Sequence, residues 1–122
     1  MNDEEARARG EEIFVRTMGY LPAAGSGAFY DLTVEHVFGR IWARDDITDR
    51  DRRLLAIGVL TTLGETDSLA IHMQRSLENG DLTADELQGA VVFLGQYAGW
   101  ARGSGAFVAL SRVLAERAAK PN

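Results

Sequence analysis

Residues 52–63, RRLLAIGVLTTL, are apolar on nearly every side of a helix once the two arginines are passed. A helix of that kind is stable only when most of its circumference is covered. A chain of 122 residues suits one compact domain, residues 1–122, and leaves little room for a second. A monomer of this size hides one face of the 54–63 helix readily and all of its faces with difficulty. Val92, Phe93, Tyr97 and Trp100 add to the demand, because they exceed what one core-facing stripe uses. Both features imply a homo-oligomer with helix faces buried between subunits. A densely packed monomer is the alternative.

The punctuation along the rest of the chain is helical. Residues 3–18 read as a first helix, acidic at its start, with Ile13, Phe14 and Met18 apolar. GYLPAAGSG, residues 19–27, is a loop. Phe29, Leu32, Thr33, Val37 and Ile41 then recur at helical spacing and predict a second helix over 28–43. Thr48 with Asp51 resembles a capping box at the start of the apolar helix, which Gly64 ends. A helix over about 67–79 stops at Gly80. Thr83 with Glu86 is a clear capping box and opens a long helix over 84–99. The Gly-rich GWARGSG reads as a break before a last helix over 105–119. No strand, repeat or low-complexity segment is legible, and the chain reads as all-α with about six helices.

Composition narrows the function. The formal charge of −5 disfavours a nucleic-acid binder, which needs clustered Lys and Arg against phosphate. A local group of arginines can still hold an anion. The chain has no cysteine, which excludes disulfide scaffolds, Cys-based zinc sites and thiol redox chemistry and fits a cytoplasmic protein. The N-terminus MNDEEARARGEE has no apolar segment of the kind a signal peptide needs. The longest largely apolar run, 89–101, is too short to span a membrane, which takes about 20 residues. No metal motif is present: the two histidines lack metal-ligand spacing.

The candidate chemistry lies with a few side chains. His72 titrates near neutrality and neighbours Ser68, Arg75, Ser76 and Asn79 on its helix, a polar edge beside an apolar face. The edge of a pocket has this composition, and so does a satisfied boundary histidine. His36, between Glu35 and Val37, is a weaker candidate. Arg50, Arg52 and Arg53 crowd the first turn of the apolar helix, where cations oppose the helix dipole. They form either a solvated, charge-paired surface with Asp49 and Asp51, or a cluster of which one member points inward and binds a carboxylate in bidentate fashion. Arg44 is a similar candidate.

Four segments in order resemble the carboxymuconolactone decarboxylase family. EHVFGRIWAR (35–44) is similar to the family's aromatic-Gly-x-x-Trp-x-Arg segment. DRDRRLLAIGVLTTLG (49–64) resembles its Arg-x-Leu opening of a long apolar helix. SLAIHMQRSLENG (68–80) resembles its Leu-x-x-His helix ending in Asn-Gly, and DELQGAVVFLGQYAGW (85–100) its Glu-led helix ending in Tyr-x-Gly. The resemblance covers about residues 10–115. The thiol branch of this superfamily, the alkylhydroperoxidase-D-like proteins, carries cysteines where this chain has Glu65 and Ser68, and a relay glutamate where it has Arg53. The chain therefore resembles the cysteine-free decarboxylase branch and not a thiol peroxidase.

The resemblance implies an alkylhydroperoxidase-D-like helical fold, assembly as a trimer or hexamer, and cofactor-free decarboxylation of a small lactone carrying two carboxylates. Loss of CO2 would leave a dienolate that the enzyme stabilises and protonates. On this sequence the resemblance implies that His72 protonates the intermediate or hydrogen-bonds the lactone. Arg52 or Arg44 holds the remaining carboxylate. Phe38, Trp42 and Tyr97 wall the site, with His36 beside them. Arg44-Asp45-Asp46 stands where the family often has Arg-Pro-Gly, and Trp100-Ala101-Arg102 follows Gly99 where Pro is usual. Those departures leave open a cofactor-free isomerase or cyclase acting on another ligand, or a non-catalytic helical binding protein.

Overall fold

The computed structural model describes residues 2–21, 23 and 25–120. Its elements are α1 (Asp3–Met18), α2 (Ala28–Leu32, continuing as a π-helix over Thr33–Ile41), α3 (Asp49–Leu63), α4 (Thr66–Asn79), α5 (Ala84–Tyr97) and α6 (Trp100–Ala119). No strand occurs among the described residues, and the chain is all-α as its sequence predicts. Among these residues no helix is long and apolar enough to cross a membrane. The chain divides into two compact units, one running through Asp49 and one starting at Arg50.

In the first unit α1 packs along α2. Asn2 caps α1, its side-chain oxygen accepting from the Glu5 N–H at 2.8 Å, and three acids follow in the first turn, where the helix dipole favours them. Ala6, Gly10, Ile13, Phe14 and Thr17 form the buried stripe. The two helices meet backbone to backbone. A Cβ on Gly10 would overlap the Val34 carbonyl, and one on Gly39 would overlap the Ala6 carbonyl. From Thr33 onward α2 takes the wider i+5 bonding pattern, ending with the Trp42 N–H on the Val37 carbonyl at 2.8 Å. Phe38 sits between Phe14 and Trp42, with ring centroids 4.8 and 5.7 Å away. The sequence predicted an unbroken helix over 28–43; the regular part is one turn, and the element ends at Ile41.

In the second unit α6 packs on α4 and α5. The core holds Ile57 of α3, Leu69 and Met73 of α4, Leu87 and Val91 of α5, and Ala106 and Leu110 of α6. Gly64 closes α3 with a left-handed turn (φ 75°). The Gly64 N–H bonds the Thr61 carbonyl and the Glu65 N–H bonds the Leu60 carbonyl, the paired pattern that satisfies a helix end. The α5 capping box is present, with Thr83 and Glu86 exchanging bonds of 3.0 and 3.1 Å.

One expectation is overturned. The Gly-rich stretch after Gly99 is not a break: α6 starts at Trp100, not at 105, and contains it. Gly103 is buried against α5, where a Cβ would come within 2.7 Å of the Gly95 Cα. These glycines bring two helices close together, so the helix tolerates their poor propensity because packing supports it.

Candidate functional site

The sequence puts three arginines in the first turn of α3, and the helix sorts them. The buried residues of α3 are Arg53, Ile57 and Thr61, one every fourth position. Arg53 therefore lies on the stripe that faces the core and is 1% exposed. Arg50 turns outward to Glu86 at 2.6 Å and donates to the Asp81 carbonyl at 3.1 Å. Arg50 holds the exposed Glu86 carboxyl down at about 2, chiefly through their hydrogen bond. Arg52 is half-buried.

Asp81 and His72 both meet the Arg53 guanidinium. Its Nε donates to Oδ2 of Asp81 at 3.2 Å, and its Nη1 lies 2.8 Å from Nδ1 of His72. Asp81 follows the left-handed Gly80 that ends α4 (φ 76°), so the turn carries its carboxylate back toward α3. His72 sits in the middle of α4, half-buried, and its carbonyl accepts from the buried Ser76 hydroxyl at 2.6 Å. Arg75, on the same polar edge, pairs with Glu78 and donates to Asn79 at 3.2 Å.

The Arg53 contact fixes the state of the imidazole. A guanidinium has only donors and keeps its proton. Nδ1 of His72 must therefore accept, which makes the ring neutral with its proton on Nε2. Electrostatics agree with the geometry: burial, and after it the Arg53 charge, push the His72 pKa down to about 4. At neutral pH the imidazole is a neutral ring with its proton on Nε2, held at Nδ1 by a fixed cation.

This arrangement predicts a pH dependence of stability. The unfolded chain takes up a proton on His72 near pH 6.5, and the folded chain only near 4. Between those values the unfolded state holds more protons, so stability is complete above about pH 6.5 and falls as pH drops toward 4. Relative to a His72→Gln variant, wild type is expected to lose about 2 kcal/mol between pH 7.5 and pH 5 in urea unfolding. Parallel curves for the two proteins would contradict a neutral, guanidinium-bonded ring.

The other sequence-predicted site residues are distributed as follows. Tyr97 ends α5, is 80% exposed and stacks on Phe93 at 4.8 Å. Phe38 and Trp42 belong to the first unit, Phe38 in its core and Trp42 half-buried on it. His36 is exposed on the π-helical part of α2. Arg44, after α2, is exposed and donates to Asp46 at 2.8 Å. The structure thus brings His72 together with Arg53 and Asp81. Arg53 entered the sequence reading only as a member of the arginine cluster and as the residue at the relay position, and Asp81 not at all. A relay carboxylate at position 53 would raise the histidine pKa; the guanidinium found there lowers it.

Comparison with known proteins bears on this site. The sequence model of the Carboxymuconolactone decarboxylase family matches residues 27–112. A 4-carboxymuconolactone decarboxylase of Acinetobacter baylyi is 29% identical over 107 residues, an alignment that covers 81% of this chain and 79% of that protein. The family match runs from the start of α2 into α6 and contains Arg53, His72 and Asp81, and on it the chain belongs to the carboxymuconolactone decarboxylase family.

Proposed function

We propose that the protein is a cofactor-independent carboxy-lyase that removes CO2 from a small carboxylated lactone of the 4-carboxymuconolactone type. The observation that carries this reading is the 2.8 Å contact between Arg53 and Nδ1 of His72, which orients a neutral Nε2–H on a half-buried ring. Decarboxylation breaks the bond between the ring carbon and the carboxylate. The electron pair stays behind and delocalises through the unsaturated ring onto the lactone oxygen. A hydrogen-bond donor fixed at that oxygen stabilises the developing charge more than the starting carbonyl, which is the condition for catalysis. His72 supplies that donor. Its low pKa makes it a poor store of protons at neutral pH, so the proton that ends on carbon comes from water. Arg52, on the same turn of α3 as Arg53, holds the second carboxylate of the substrate. A cytoplasmic location goes with this reading.

The activity of the Acinetobacter baylyi relative supports the substrate class, and the bond between buried Arg53 and half-buried His72 supports the mechanism. The test is direct: purified protein is mixed with 4-carboxymuconolactone, and CO2 release and lactone loss are followed together. Equal rates of both are expected. Lactone loss without CO2 would convert the reading to an isomerase, and no reaction by folded protein would sink it.

Assembly belongs to the same proposal. In the second unit Leu55, Val59 and Leu63 of α3, Phe93 of α5, and Trp100 and Phe107 of α6 are each more than half exposed. Leu55, Val59 and Leu63 line an open apolar groove of about 500 Å³ along α3 at Leu94, and Trp100 and Phe107 line one of about 280 Å³ between α5 and α6. Apolar surface of that extent marks an interface. Light scattering on a sizing column is expected to give three or six times the subunit mass. A monomer at micromolar concentration would remove the shared interface.

A further inference from the structure

A smaller cavity of about 80 Å³ lies where α3 ends and α4 begins, roofed by α6. Thr61, Gly64, Thr66, Leu69 and Arg102 are among its lining residues, and no carboxylate is. That volume is room for two or three waters at roughly 30 Å³ each, or for one small organic anion. We propose that it is a binding site for a small planar monoanion of carboxylate type: formate, acetate or bicarbonate.

Thr61, Arg102 and Thr66 at the start of α4 bring donors to its walls. Thr61 is 1% exposed, and its hydroxyl has no hydrogen-bond partner. That is unusual for a helical threonine, which can bond the carbonyl four residues back. The adjacent Thr62 does so, to Gly58 at 2.9 Å. A buried hydroxyl without a partner is costly, and a polar occupant of the cavity that it lines relieves the cost. Arg102 forms no hydrogen bond or ion pair with any described residue, and its guanidinium lies against Gly64, where a Cβ would overlap Nη1. Its planar fork matches a carboxylate in bidentate fashion. The third donor is the start of α4. Glu65 precedes it without a side-chain cap, and Thr66, the first helical residue, lines the cavity. The N–H groups of Thr66, Asp67 and Ser68 have no carbonyl within the helix to bond. The carbonyls at the end of α3 already accept from Gly64 and Glu65, so they do not claim these donors.

Charge sets the class of anion. Glu65 and Asp67 are exposed beside the same helix start. They disfavour a dianion such as phosphate and leave a monoanion as the better match. The site uses neither His72 nor Arg53 and stands whether or not the chain decarboxylates a lactone.

The test is a ligand-observed NMR titration of the full chain with acetate and with formate at constant ionic strength, chloride being the balancing salt. Saturable binding is expected, at least tenfold weaker in Arg102→Gln and several-fold weaker in Thr61→Val. Valine is the same size as threonine, so the second variant keeps the packing. It also has its own readout: in chloride alone Thr61→Val should melt higher than wild type, and acetate should raise the melting temperature of wild type but not of the variant. Binding that does not saturate, that phosphate or chloride reproduces, or that neither substitution weakens would overturn the proposal.

Discussion

Asp81→Ala is expected to lower the free energy of unfolding by about 3–5 kcal/mol, the usual cost of breaking a buried ion pair from one side. The reason is the position of its partner. Arg53 is 1% exposed, and its Nε donates to Asp81 Oδ2 at 3.2 Å. Removing the carboxylate takes a compensating charge from a guanidinium that water cannot reach. Arg53→Met should cost less, because the partly accessible Asp81 can recover water and methionine fills the space. The double variant Arg53→Met/Asp81→Ala is then expected to be more stable than Asp81→Ala alone, because the buried cation is gone together with the carboxylate that it bonds. Exposed pairs give the contrast. Arg44 and Asp46 make a bond of 2.8 Å with both side chains more than half exposed, and Asp46→Ala should change stability by less than about 1 kcal/mol. Urea unfolding at pH 7 and fixed protein concentration measures all four, the concentration being held because association adds to apparent stability. A cost below about 1 kcal/mol for Asp81→Ala, or a double variant as unstable as the sum of the singles, would show that Arg53 does not depend on this carboxylate.

Much of the fold was legible because most helices carry their own boundary signals. Gly19 at the end of α1, Gly80 at the end of α4 and Thr83 with Glu86 at the start of α5 all act locally. The sequence failed where glycine has a tertiary use. Gly103 looks like a breaker by propensity, but it lies inside α6 because Gly95 on the neighbouring helix occupies the space of its missing side chain. The site divides in the same way. His72 stood out as an imidazole on the border of an apolar stripe. Arg53 did not, because α3 is apolar nearly all round and no single face announces itself as buried. The spacing Arg53, Ile57, Thr61 was the available clue, since four-residue steps keep to one side of a helix. Nothing local could have pointed to Asp81, which reaches Arg53 through the turn after α4 from 28 positions away.

The second large effect concerns His72 and the chemistry. His72→Ala is expected to reduce kcat for decarboxylation by about 10²–10³, as loss of one oxyanion donor does, with kcat/KM falling alongside it. An interaction made only as charge develops should leave substrate binding nearly intact. His72→Gln can still offer an N–H and should recover part of the loss, which a purely structural role would not predict if both variants fold equally well. The pH profile separates the two roles open to this residue. A neutral donor keeps kcat level from pH 8 to about 5 and loses it toward pH 4, where the ring protonates and can no longer accept from Arg53. An imidazolium acid would do the reverse and gain activity as pH falls into that range. Arg53→Met adds a test of the charge beside the ring. With the guanidinium gone, its contribution to lowering the His72 pKa disappears while burial, the larger cause, remains, and the acidic limb should move up by part of the distance to pH 6.5 even if the maximum rate is also reduced. If the limb stays in place while the rate falls, Arg53 orients the imidazole without tuning it. If activity rises below pH 5 in wild type, His72 is the proton donor, and the fixed Nε2–H account of the reaction is wrong.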